Sequence, residues 1–165
     1  EINEDTVKTR LHRARGLLRD ELYARAGAAS AEAFQFHASR CDRVVALDCS
    51  ESAVMRAQRR CADLPHVHLA VGELPGAWPA GRFDLIVFSE LGYYFDTGEL
   101  VGLRNRATDS LVPNGVLVAV HWLGVSEDHV LSGDAVHRVL RAGRGLRRIA
   151  QFRDGGFRLD TWERT

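Results

Sequence analysis

The sequence predicts an α/β protein, and three observations carry that reading. Short apolar runs alternate with amphipathic stretches from Val44 onward, the first run ends on Asp48 just before a helix-like stretch, and two further runs close the chain across "RDGG". Alternation of this kind implies a parallel sheet, and the closing pair implies an antiparallel edge. The chain has 165 residues and is 45% hydrophobic, enough for one ordinary domain with a packed core. Net charge is zero, so the chain as a whole has no electrostatic case for nucleic acid or an acidic membrane. No apolar run approaches the ~20 residues of a membrane helix. Cys41, Cys49 and Cys61 form no C-x-x-C pair and predict buried, reduced thiols and a cytoplasmic location. The chain starts at Glu1, inside a pattern, as a fragment would.

Residues 3–26 carry the clearest helical pattern. Asn3 is placed to cap it, Glu4 and Asp5 complement the positive end of its dipole, and Val7, Leu11, Ala14, Leu18 and Leu22 make one apolar stripe. Gly27 suits its end, and 27–39 reads as a linker. A strand over Val44–Leu47 follows, then a helix capped by Ser50 and running to about Cys61. Val67–Val71 is the next strand. "FDLIVF", from Phe83 to Phe88, is a third, buried on both faces by composition. Thr97 is placed to cap a helix reaching Leu111, and "LVPNGVLVAVHW" reads as a turn at Pro113, Asn114 and Gly115 followed by a fourth strand. A helix near Asp134–Ala142 precedes the hairpin of Leu146–Phe152 with Phe157–Trp162.

Two resemblances meet near residue 40. The segments "RVVALDCSESAVMRA", "FDLIVFSELGYYF", "LVPNGVLVAVHW", "SGDAVHRVL" and "FRLDTWER" resemble, in order and spacing, class I S-adenosylmethionine-dependent methyltransferases of the nodulation protein S type, which N-methylate amino sugars. Upstream, "INEDTVKTRLHRARGLLRDEL" and "AFQFHASRCDRVVA" resemble the region 4 end and short tail of extracytoplasmic-function sigma factors. Together they read as a join, with 1–39 a sigma-like remnant and 40–165 a methyltransferase-like domain. The resemblance implies an incomplete Rossmann-like methyltransferase sheet with a C-terminal antiparallel hairpin, preceded by a long N-terminal helix. The family's glycine-rich loop should lie about 20 residues before Asp48, yet 17–39 hold one glycine, Gly27. Without the first strand, either "FQFHA" fills its slot or "VVALD" moves over to pair with "FDLIVF".

The resemblance implies S-adenosyl-L-methionine as cofactor and a small-molecule or amino-sugar acceptor. Asp48 ends its strand where a carboxylate would accept from both ribose hydroxyls; the plainer alternative is an exposed Asp opening a turn. Glu73 falls where the family places an acid near the adenine amine, with Leu74 as apolar contact, and a solvated loop Glu is the alternative. Cys49 and Ser89 join the implied cofactor set. Glu90 is placed to orient an amine or take its proton. Tyr93 and Tyr94 either line the acceptor site or pack the next helix. His121, beside Trp122, is a base near neutral pH or a structural strand-end histidine. Asp134 and His137, three apart, either face the acceptor or hydrogen-bond one another. No metal-ligand set stands out. Lys8, Arg10, Arg13 and Arg15 suit phosphate contacts, so DNA binding through residues 5–19 is the alternative function, against a solvated amphipathic helix.

Overall fold

The computed structural model describes residues 41–165. The helix expected over 3–26, the linker, Gly27, "FQFHA" and the basic face of 5–19 lie outside the described residues. The chain divides after Ala77 into two compact units, each described by itself.

In the first unit a strand, β1 (Val44–Asp48), leads through helix α1 (Glu51–Arg60) to a parallel strand, β2 (Val67–Val71). Pairing runs in step from Val44 opposite Val67 to Asp48 opposite Val71, so both strands end at one edge. The backbone turns sharply there. Asp48 Oδ1 accepts from the Ser50 N–H at 2.8 Å, and Ser50 Oγ accepts from the Ala53 N–H at 3.3 Å, supplying a partner to an orphan donor of the helix start. Glu51 in the first turn and Arg59 and Arg60 in the last complement the helix dipole. Val54 and Ala57 are the buried side of α1. β1 pairs with β2; a pairing of "VVALD" with "FDLIVF" is not among the described pairings.

The second unit is built on a four-stranded sheet in the order β3 (Phe83–Ser89), β4 (Leu111–Trp122), β6 (Phe157–Arg164), β5 (Leu146–Arg153). β3 and β4 are parallel, and β6 is antiparallel to both β4 and β5, so the expected antiparallel edge is β5. The α/β reading therefore holds, with every strand but β4 within two residues of its expected bounds; β4 already begins at Leu111, ahead of the expected turn. Helices α2 (Thr97–Ser110) and α3 (Gly133–Arg141) pack on each other and on β4, with α3 reaching β6. Leu100, Leu103, Leu117, Val136, Leu140 and Trp162 are fully buried between these elements.

Three expectations need correction. α2 is capped by Asp96, not Thr97: Asp96 Oδ1 accepts from the Glu99 N–H at 2.8 Å while Glu99 Oε2 accepts from the Asp96 N–H at 3.0 Å. This reciprocal box outranks a lone threonine because it satisfies two orphan donors at once. The second correction is β3, where Phe88 is buried but Asp84, Val87 and Ser89 are exposed. β3 is the edge of its sheet, so composition alone overstated its cover. The third concerns the cysteines. Only Cys61 is buried; Cys49 is exposed and Cys41 half-buried, and none of the three is in a disulfide among the described residues. The turn at Pro113–Gly115 exists as an irregularity inside β4, with Asn114 at φ 60° and pairing that jumps from Leu111 to Val116. No helix among the described residues is long and apolar enough to cross a membrane.

Candidate active site

The carboxyl ends of β3 and β4 carry a cluster of polar and aromatic side chains, the edge at which open α/β sheets place ligands. Glu90 follows β3 directly. Its N–H donates to Val120 O at 3.0 Å, continuing the sheet, and its φ of 56° then swings the chain into a short 3-10 turn, Gly92–Tyr94. A non-glycine residue in the left-handed region is uncommon and is held by its surroundings. Here the carboxylate does the holding. Glu90 Oε1 accepts from the Trp122 N–H at 2.9 Å, and Oε2 accepts from the Tyr93 hydroxyl. One side chain thus ties the end of β3 to the end of β4 and to the turn between β3 and α2.

Tyr93 is 3% exposed. Burial, the hydrogen bond to Glu90 and that carboxylate's charge together push its phenol well above the ordinary tyrosine range, so it stays a donor. Its ring stacks on His129 at 3.7 Å between centroids and meets Tyr94 edge-on at 5.0 Å. Tyr94 and Trp122 also approach His129 edge-on, at 5.4 and 6.2 Å, and both are exposed. The wall is therefore aromatic, with a carboxylate at its base and two rings open to solvent. The Tyr93 backbone carbonyl accepts from the N–H groups of Val130 and Leu131, which fixes the loop that brings His129 here.

His121, fully buried, lies behind this wall. Its Nε2 accepts from the Gly92 N–H at 3.0 Å, and its Nδ1 is 3.1 Å from His137 Nε2. His137 Nδ1 in turn lies 2.7 Å from Asp160 Oδ2. Burial, then the neighbouring His137 and His129, lowers the His121 pKa from 6.5 to about 3. Both its nitrogens are engaged, so the ring offers no lone pair for the base expected at this position. Asp134 and His137 do not bond each other. Asp134, on the outer side of α3, pairs with Arg153 and with Arg158 at 3.1 Å, which holds its carboxyl below the usual range, the Arg153 contact first. His137 turns inward to Asp160, a residue that three-apart spacing gave no reason to choose.

The residues expected at the cofactor sit in the first unit, apart from the exposed Ser89, which is opposite Val120 in the β3–β4 pairing. Asp48 and Glu73 share the carboxyl edge of β1 and β2, where the Gly72 N–H donates to Asp48 O at 3.1 Å. Asp48 uses Oδ1 in its turn and keeps Oδ2 without a partner among the described residues. Cys49 and Glu73 are exposed there, and Leu74 is half-buried. Two carboxylates and an apolar side chain at one strand edge fit a ribose diol, an amine donor and a flat heterocycle. Sequence reasoning missed Gly92, His129, Arg158 and Asp160. Of these, Asp160 had a signal, a lone acid inside the apolar alternation of "FRLDTW".

No protein-family model matches the chain, and no curated protein does. Solved structures do. A protein from Pseudomonas syringae assigned as a methyltransferase is 40% identical, over 84% of this chain and 84% of its own, with a TM-score of 0.72. The chain belongs to that methyltransferase family, built on the class I S-adenosylmethionine-dependent fold. Two structures of the N-methyltransferase NodS from Bradyrhizobium japonicum WM9 also match with TM-scores of 0.72. They are 22% and 23% identical over 94% and 93% of this chain and 96% and 86% of theirs, the second in complex with S-adenosyl-l-homocysteine. At those identities the likeness is one of fold.

Proposed function

We propose that the chain transfers a methyl group from S-adenosyl-L-methionine to the amino group of a small acceptor of amino-sugar type. The observation that carries this reading is the Glu90 carboxylate at the base of the aromatic wall formed by Tyr93, Tyr94 and Trp122. Bound, the cofactor supplies a sulfonium-activated methyl carbon for in-line displacement. The attacking amine must be neutral, with its lone pair aimed at that carbon. As the new C–N bond forms and the C–S bond breaks, positive charge moves from sulfur to nitrogen. A fixed carboxylate at the nitrogen is worth more after that shift than before it, which is the condition for lowering the barrier.

Glu90 suits this role because its two anchors set its position in advance, while each carboxylate oxygen keeps a further lone pair to accept an amine N–H. It also accepts the proton that the methylated ammonium releases. The exposed rings of Tyr94 and Trp122 give a sugar's C–H face an apolar surface. Asp134, ion-paired at the start of α3, is the remaining acceptor-side residue expected from the family; His137, also expected there, is fully buried against Asp160 and His121 and does not meet the acceptor. Asp48, Cys49, Glu73 and Leu74, all in the first unit, are the cofactor-binding set: Asp48 takes the ribose hydroxyls, Glu73 the adenine amine and Leu74 the face of the base. The glycine-poor stretch before residue 40 weakens the grip on the cofactor's aminoacyl end, because backbone N–H groups approach closely only where side chains are absent.

Calorimetric titration with S-adenosyl-L-methionine tests the reading. Dissociation constants tighter than about 100 μM, or roughly 5.5 kcal/mol, support it. No heat at millimolar cofactor rejects it. Transfer of labelled methyl to glucosamine oligomers, measured beside a hydroxyl-only sugar, then decides the acceptor class.

A further inference from the structure

The hydrogen positions along the buried chain from Gly92 to Asp160 follow from one fixed donor. A backbone N–H can only donate, so His121 Nε2, 3.0 Å from the Gly92 nitrogen, must present its lone pair. A neutral imidazole then carries its hydrogen on Nδ1, and that hydrogen points at His137 Nε2 across 3.1 Å. His137 Nε2 must therefore also be a bare acceptor. This leaves the His137 hydrogen on Nδ1, aimed at Asp160 Oδ2 at 2.7 Å. Both histidines are neutral and both are Nδ1–H tautomers. The His137–Asp160 contact has ion-pair distance but is not an ion pair, since a second proton on His137 would set two N–H groups against each other. The Asp160 charge is met by Arg158, whose Nε and a terminal nitrogen stand 2.9 and 2.8 Å from Oδ2.

We infer that Asp160, His137 and His121 are positioning residues that lock the Gly92 amide, and through it the turn that carries Tyr93 against Glu90. The three side chains have no exposed surface, and they span β6, α3 and β4. The far end of the chain is a backbone amide in the turn directly after Glu90, not a reacting atom. Gly92 is there for close approach: a Cβ would lie 2.8 Å from His121 Nε2 and 2.5 Å from Val136 Cγ1. An aliphatic residue at position 121 would fill the space but leave the amide without an acceptor, and the turn that follows the left-handed Glu90 would lose one of its anchors. The inference rests on the methyl-transfer reading only for its effect on turnover.

Nitrogen NMR of the histidine rings tests the hydrogen positions without any activity. His121 and His137 are expected as neutral Nδ1–H tautomers at neutral pH; an Nε2–H tautomer or an imidazolium at either ring overturns the inference. The groups facing His121 are Tyr93 from the turn, His129 from the following loop and His137 from α3, while Asp160 faces His137 with Arg158 and Arg148 around it. Two variants test the lock. His121→Gln keeps an acceptor and His121→Leu removes it, so exchange at the Gly92 amide should be about tenfold faster in the leucine variant. Equal exchange in the two overturns the inference. Should leucine at 121 prevent folding, the ring tautomers of the unaltered protein still decide. With the acceptor assay in hand, leucine should lower kcat and leave cofactor affinity unchanged, with glutamine restoring part of the loss. A protein that binds no cofactor yet shows both tautomers and the exchange difference sinks the functional reading and keeps the lock.

Discussion

The Tyr93 hydroxyl donates to Glu90 Oε2 across a single turn, and the other Glu90 oxygen is taken by the Trp122 amide at the end of the neighbouring strand. The carboxylate is therefore both a brace for the β3–β4 edge and the acidic group of the proposed acceptor site. The two roles can be separated by substitution. Glu90→Gln keeps oxygen and nitrogen in place, so it should retain most of the brace and lose the charge that methyl transfer to nitrogen exploits. We expect turnover to fall ten- to a thousand-fold, about 1.4–4 kcal/mol, with cofactor affinity unchanged. Undiminished turnover in the Glu90→Gln variant would leave Glu90 as a brace only.

Tyr93 should ionise later than any exposed tyrosine. Burial and the Glu90 carboxylate both disfavour its phenolate, so an absorbance titration should show no contribution from Tyr93 at about pH 10, where ordinary tyrosines titrate. Tyr93→Phe should leave that titration unchanged while lowering the unfolding midpoint, since it removes a donor from Glu90, at a cost of about 1–3 kcal/mol. Loss of a normal titrating step in the phenylalanine variant would mean the phenol is not held in this way.

Gly92→Ala should be costly for a reason unrelated to backbone dihedrals. The added methyl would meet Val136 and His121 well inside contact distance. Both neighbours are buried, so relief requires α3 to shift or His121 to leave the amide. Overpacking of this kind costs about 1–3 kcal/mol. Chemical denaturation should show the loss, and Val136→Ala added to Gly92→Ala should recover only part of it, because the His121 clash persists. Full recovery would place the constraint at Val136 alone.

Acid should destabilise the fold through His121. Unfolded, the imidazole takes a proton as pH falls through about 6.5; folded, it resists until about 3. Between those values the unfolded chain holds more protons, so this group's contribution is complete above about pH 6.5 and is lost as pH falls toward 3, at ~1.4 kcal/mol per pH unit. Asp134 acts in the same direction at the acidic end, where its depressed pKa makes the folded state resist protonation. Denaturant melts of the parent and His121→Gln at several pH values between about 7 and 4 separate the two. The parent should show the steeper slope, and parallel lines would mean that His121 is not buried as a neutral ring.

How much of this was legible in the sequence depends on which interactions are local. Ser50 capping α1, Asp48 ending β1 and the closing hairpin were read correctly because each depends on residues a few positions apart. The capping box at Asp96 and Glu99 is equally local, but Thr97, one position on, offers a competing cap signal of the same kind. His137 was harder. Its spacing from Asp134 offered a pair that helix geometry allows, yet its partner lies 23 residues downstream on β6, and only the packing of α3 on that strand brings them together. The same holds for Gly92 and His121, which are 29 residues apart. The burial of β3 was misjudged because apolar composition does not say which strand is the edge.

Asp48 has two jobs that alanine would confuse and asparagine would not. Its Oδ1 accepts the Ser50 N–H and so shapes the turn that starts α1, while Oδ2 is the oxygen proposed for the ribose. Asp48→Ala removes both and should lower the melting temperature as well as cofactor affinity. Asp48→Asn keeps the turn, since an amide oxygen accepts the same N–H, but replaces the second acceptor with a donor that opposes the ribose hydroxyls. Loss of a charged hydrogen bond is worth about 1.5–3 kcal/mol, so calorimetry should show affinity for S-adenosyl-L-methionine falling roughly ten- to a hundred-fold in the asparagine variant with its melting temperature unchanged. Binding by Asp48→Asn at the parent's affinity would remove Asp48 from the cofactor site and leave it as the residue that turns β1 into α1.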